Sequence, residues 1–164
     1  FIADSPPPRA VSHIARSFLD TGGHLPTVYK ALLDCPETWQ QSLAKLKSPI
    51  EYVTSSLRAV PGLRDARGLY ATLRGMGQRP FFAPSPQGWP DTAAAWSGGD
   101  ALWKRIEWAG IVASRIGSRA DPLRLADASY GPALGAATRS AIARAESREQ
   151  GMALWLASPE FQRR

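Results

Sequence analysis

Apolar residues recur every three or four positions almost from end to end of this chain, and no stretch alternates with the period of two that a half-buried strand requires. That property restricts the chain to an all-α fold. The stripe Val11, Ile14, Ala15, Phe18, Leu19 predicts a first helix, opened by Pro6-Pro7-Pro8 and ended at Gly22-Gly23, where glycine supplies a left-handed cap. A second stripe, Leu25, Val28, Tyr29, Leu32, Leu33, has Pro26 in its first turn and stops before Pro36. The short glycine link predicts that these two helices form a hairpin. Ser48-Pro49-Ile50-Glu51 reads as a capping box with proline at the first helical position. Its helix is expected to bury Ile50, Val53, Leu57 and Val60 and to end at Pro61-Gly62. A fourth helix from about 65 to 74 turns Ala66, Leu69, Leu73 and Met76 inward. A fifth starts near Asp100, with Leu102, Trp103, Ile106, Ala109, Gly110, Ala113 and Ile116 as its stripe. A short turn around Leu123–Leu125, a Gly131-Pro132 break, and helices over about 136–145 and 148–157 complete the chain. Cys35-Pro36-Glu37-Thr38 and Ser158-Pro159-Glu160-Phe161 both follow apolar helix ends and read as a recurrent helix stop and restart.

The 164 residues suffice to bury about two-thirds of the unfolded surface, and 44% hydrophobic with 21% charged residues is the composition of a folded globule. The expected architecture is an orthogonal or irregular multi-helix bundle of about six to seven helices, forming a single helical domain over 1–164. The chain begins at Phe1-Ile2-Ala3-Asp4, which reads as the frayed end of a helix and so as the start of a C-terminal fragment of a longer protein. No apolar run approaches the roughly 20 residues of a membrane-spanning helix.

Chemistry finds few footholds. With one cysteine, Cys35, an internal disulfide is excluded, and the residue reads as a small buried side chain at a helix end. His13 lies off the first apolar stripe, His24 sits in the glycine turn, and neither has a Cys or carboxylate at ligand spacing, so no metal site is expected. There is no Gly-x-Ser-x-Gly, and Gly75-Met76-Gly77 lacks both the third glycine, at Pro80, and a preceding strand. No catalytic residue and no cofactor is assigned.

Two features stay unexplained by helix geometry. Between Lys45 and Arg79 stand seven basic and two acidic residues, a net of +5 out of the chain's +6. Arg64, Arg67 and Arg74 fall within about 80° of one another on a helical wheel, a stripe that could meet phosphate or an anionic glycan but is also the ordinary solvated face of an amphipathic helix. Residues 77–99 then break every periodicity, with Pro80, Pro84, Pro86, Pro90 and the aromatics Phe81, Phe82, Trp89 and Trp96. So long a connection in a compact domain is functional or disordered, and its aromatic content argues for order. Phe81, Phe82, Trp89 and Trp96, with Arg64, Arg67, Arg74 and Arg79, are the candidate binding residues. The competing reading is that the rings bury the loop against the helices.

Three segments carry a resemblance. Residues 45–53 (KLKSPIEYV) are similar to a "KFKSPxEFV" pattern, 77–90 (GQRPFFAPSPQGWP) to "GQPLFxPPxPxGWP", and 156–162 (LASPEFQ) to "LASPEFQ". In this order they resemble the C-terminal part of a bacterial family, domain-of-unknown-function family 1800. Leu46 replaces the usual aromatic and Arg79 is an added charge in the loop. The resemblance implies a parent protein of several hundred residues, often exported and encoded beside a phosphatase- or sulfatase-like partner. A periplasmic or exported location follows as the expectation, with the cytoplasm as the alternative. It implies no activity and no catalytic residue. Three functions are therefore weighed: a non-catalytic domain binding a protein partner or cell-envelope polymer; an accessory domain of an enzyme whose catalytic residues lie outside this chain; and, on charge alone, nucleic-acid binding.

Overall fold

The computed structural model describes residues 2–40, 43–63 and 68–164. The protein is all-α. Eleven helices form among the described residues: α1 (Pro8–Asp20), α2 (Leu25–Asp34), α3 (Glu37–Gln40), α4 (Pro49–Ala59), α5 (Leu69–Gly75), α6 (Ala93–Trp96), α7 (Gly99–Ile116), α8 (Pro122–Tyr130), α9 (Ala136–Ala143), α10 (Arg148–Ala157) and α11 (Pro159–Gln162). Turns of 3-10 helix at Gly117–Arg119 and Gly131–Ala133 flank α8. Seven of these are the helices expected from the periodicity. The turn expected around Leu123–Leu125 is instead the nine-residue α8, opened by Asp121, whose carboxylate accepts the Arg124 amide. The one-turn helices α3 and α11 are the restarts after Cys35-Pro36 and Ser158-Pro159. The start of the helix expected from 65 lies outside the described residues.

The chain divides into two compact units, Phe1–Lys45 and Leu46–Arg164. In the first, α1 packs on α2 through a turn in which Gly23, at φ 83°, donates its amide to Phe18 O at 2.8 Å. Only glycine adopts that left-handed geometry without strain. The last carbonyls of α2 are taken up by side chains, Thr38 Oγ1 donating to Leu32 O and Trp39 Nε1 to Leu33 O, both at 2.8 Å. Cys35 is buried, and its thiol donates to Glu37 Oε2 at 3.1 Å. The stripes of α1 and α2 form no closed core: Val11, Phe18, Leu19, Leu25, Tyr29 and Leu33 stay exposed, because two helices cannot enclose their own apolar faces.

The second unit is built around α10, which packs on α7 and also meets α8, α9 and α11. Its core holds Tyr52, Val53, Trp108, Val112, Ile116, Met152, Trp155, Leu156 and Phe161. α10 approaches α8 closely at Gly151, where a Cβ would lie 2.8 Å from Pro122 Cγ. Two expected faces are corrected. On α4 the buried side is Pro49, Tyr52, Val53 and Ser56, while Ile50 is exposed. On α7 it is Arg105, Trp108, Ala109, Val112, Ala113 and Ile116, while Leu102, Trp103 and Ile106 face outward. The first half of α7 carries apolar residues on two sides, so its own periodicity did not choose between them; the neighbouring helices did.

Candidate functional site

The three signature segments meet in space. Lys47 donates its amide to Gln162 O at 2.8 Å, and an antiparallel bridge joins Leu46 to Arg163. The Lys47 ammonium donates to Phe161 O at 2.8 Å and to Tyr130 OH at 3.3 Å, and sits 4.5 Å from the Phe161 ring centroid. From α7, Arg105 Nη2 donates to Lys47 O at 2.6 Å and Nη1 to Gln162 Oε1 at 2.9 Å. The Tyr52 hydroxyl lies within donating distance of Arg105 O (3.0 Å) and Leu156 O (3.2 Å). Tyr52, Tyr130 and Trp155 pack edge-on around Phe161.

This knot buries two cations with no carboxylate bonded to either among the described residues. Burial pulls the Lys47 ammonium down to about 8, the nearby Glu51 opposing and Arg105 reinforcing the shift. Burial also lowers Arg105 and raises the Tyr52 hydroxyl. Arg105 is 1% exposed, and its Nε finds no acceptor among the described residues. Both cations spend these donors on neutral oxygens, main-chain, amide and the Tyr130 phenol, so the knot acts as a structural joint. It is what the residue pattern of the first and third segments encodes.

The second segment forms a loop whose feet both stand on the first turn of α4. There the capping box is made, Glu51 Oε2 accepting the Ser48 amide at 2.8 Å. Buried Gln78 accepts the Ile50 amide at 2.7 Å, satisfying one of the donors a helix start leaves open. At the other foot Arg164 bridges Asp91 (3.1 Å) and Glu51 (2.8 Å). Residues 78–91 are thus a closed loop of the Ω kind. Just beyond it, at the end of α6, stands Trp96, 5% exposed, which donates Nε1 to Pro90 O at 2.9 Å and backs Trp89 at 6.1 Å between ring centroids. Trp96 is therefore withdrawn as a binding residue: it packs the loop down, and Trp89 is half-buried over it. The 77–99 segment is also not wholly irregular, since α6 lies within it.

The phenylalanines go the other way. Phe82 N donates to Arg79 O at 3.2 Å, closing a turn with Pro80 second and Phe81 third. Phe81 has φ 65°. This is the pattern of a type II turn, with phenylalanine in the place glycine normally takes. Phe81 is 100% exposed and Phe82 54%. Arg79 donates Nε to Tyr70 OH at 2.7 Å and lays its guanidinium 3.5 Å from the Phe82 ring centroid. Arg74 is exposed in the last turn of α5, whereas Arg64 and Arg67 lie outside the described residues. Of the candidate binding residues, Phe81, Phe82 and Arg79 are brought together on the turn that follows the Gln78 foot, and Trp89 lies near the Asp91 foot. Gln78, Asp91, Arg105 and Arg164 were missed. An isolated Arg within an apolar stripe and an Asp following Trp-Pro carry no local signal of burial or bridging.

The family model for proteins of unknown function designated DUF1800 matches residues 1–163. The chain belongs to DUF1800. No curated protein and no solved structure matches it. The convergence just described gives the DUF1800 pattern in this chain a physical meaning: its first and last segments form the joint, and its middle segment forms the loop standing beside that joint. Among the described residues no three His, Cys, Asp or Glu gather as metal ligands, and no helix is long and apolar enough to cross a membrane.

Proposed function

We propose that the second unit is a non-catalytic docking module whose contact surface is the Arg79–Phe82 turn of the 78–91 loop and whose partner is a protein. The reading rests on Phe81, a wholly exposed phenylalanine held in left-handed backbone. A residue other than glycine in that region costs about 1–2 kcal/mol, and the wholly exposed ring repays none of it through burial. Such strain is characteristic of positions kept for binding. Phe82 and Arg79 widen the knob into an aromatic–guanidinium surface, the residue types that anchor protein interfaces. The clamped feet and the prolines at 80, 84, 86 and 90 hold it in one shape, which lowers the ordering cost of binding. A protruding Phe pair inserts into a pocket; it offers few hydrogen-bonding groups to a polymer of sugars.

A photo-cross-linking amino acid placed at 81 in the protein in its native host tests this, with the same residue at exposed Glu149 as control. The expectation is a discrete protein adduct at 81, weakened by Phe82→Ala and absent at 149. Labelling at 81 that matches the control, or that yields only cell-wall fragments, overturns the reading.

A further inference from the structure

The second half of the same loop, residues 84–91, carries a separate cleft, and we propose that it is a saccharide subsite taking one ring of a neutral glycan. The cleft encloses about 350 Å³ and is lined by Trp89, Pro84, Ser85, Gln87 and Asp91. That is the low end of small-ligand clefts, about 300–1,000 Å³, and suits a single ring system with its substituents. The lining is one indole beside a hydroxyl, a carboxamide and a carboxylate. A pyranose presents the complement: a C–H face that lies on an aromatic ring and a rim of hydroxyls that both donate and accept. Asp91 accepts, Gln87 and Ser85 do both.

The groups are held before any ligand arrives. Trp89 is backed by Trp96, itself anchored to Pro90 O, so the indole is not free to collapse into the cleft. The Gly88 amide donates to Ser85 O at 3.0 Å, closing the turn that sets Ser85 and Gln87 on one rim. Asp91 is fixed by Arg164 Nη2 at 3.1 Å. That carboxylate is charge-paired and no Lys or Arg lines the cleft among the described residues, so the lining offers no cation to recruit a phosphorylated or uronic sugar, hence a neutral glycan. This inference does not depend on Phe81, which does not line the cleft.

Saturation-transfer NMR on the purified chain with maltotriose, cellotriose and triacetylchitotriose as probes tests it, beside a proline-rich peptide as the competing ligand class. Transfer to the ring protons of at least one sugar is expected. Trp89→Ala should abolish it, Gln87→Ala, an exposed change that spares the fold, should weaken affinity about fivefold, and Phe81→Ala should leave it unchanged. Silence from all three sugars, transfer indifferent to Gln87→Ala and Trp89→Ala, or binding of the peptide alone overturns the subsite. Loss of the photo-adduct at 81 with intact sugar binding would instead sink only the docking reading.

Discussion

Arg105→Ala is the sharpest probe of the joint. The side chain is 1% exposed and makes two charge-assisted bonds, to Lys47 O at 2.6 Å and Gln162 Oε1 at 2.9 Å. Each such bond contributes about 1.5–3 kcal/mol. Truncation removes both, leaves two buried oxygens without these donors, and opens a cavity under Tyr52. Against this stands the relief of no longer burying a cation that has no carboxylate partner, a cost of several kcal/mol in its own right. The bonds and the cavity together outweigh it, giving a net destabilisation of about 3–5 kcal/mol, a large part of the roughly 5–15 kcal/mol of a typical domain. Arg105→Met, which refills most of the volume, should recover about 1–2 kcal/mol of that loss. The assay is urea denaturation followed by near-UV circular dichroism, for which Trp108 and Trp155 in the same core are reporters. A double-mutant cycle with Gln162→Ala should return a coupling of about 1 kcal/mol or more. A loss for Arg105→Ala below about 1 kcal/mol at unchanged m value would refute the assignment of the joint as the structural centre of this unit.

Three further outcomes follow from single positions. Lys47 titrates near 8 in the folded chain against an ordinary 10.5, so between those values the unfolded state holds the proton that the folded state has lost, and stability contributed at this site rises with pH. The gap in urea midpoint between the wild type and Lys47→Met should therefore move in the wild type's favour from pH 7.5 to 10, and a flat gap would contradict it. Gly151→Ala should destabilise by about 1–3 kcal/mol although alanine is the better helix former by about 1 kcal/mol, because the rigid Pro122 ring lies 2.8 Å from the new Cβ; a raised melting temperature would show that α8 yields freely. Phe81→Gly should leave stability unchanged or raise it by up to about 1 kcal/mol, since strain is relieved and no buried contact is lost; a marked loss would mean that the ring packs rather than protrudes.

The sequence by itself determined what is local. Helix starts and stops follow from caps, prolines and glycines that act within a few residues, as at Ser48-Pro49-Ile50-Glu51, where the box forms as written. The existence of an ordered, proline-stiffened loop over Gly77–Gly99 was legible for the same reason. Its aromatic content did not say which rings face outward: Trp96 went in and Phe81 went out. Only the tertiary structure decided that, along with the burial of Arg105 and Tyr52 in place of Trp103 and Ile50, and the bridge from Arg164 to Asp91 and Glu51. The Tyr52, Arg105 and Arg164 contacts reach partners 53 to 113 positions away. Burial and hydrogen-bond satisfaction are settled by what the fold brings alongside a residue, and a helical period marks a stripe without naming the surface that will cover it.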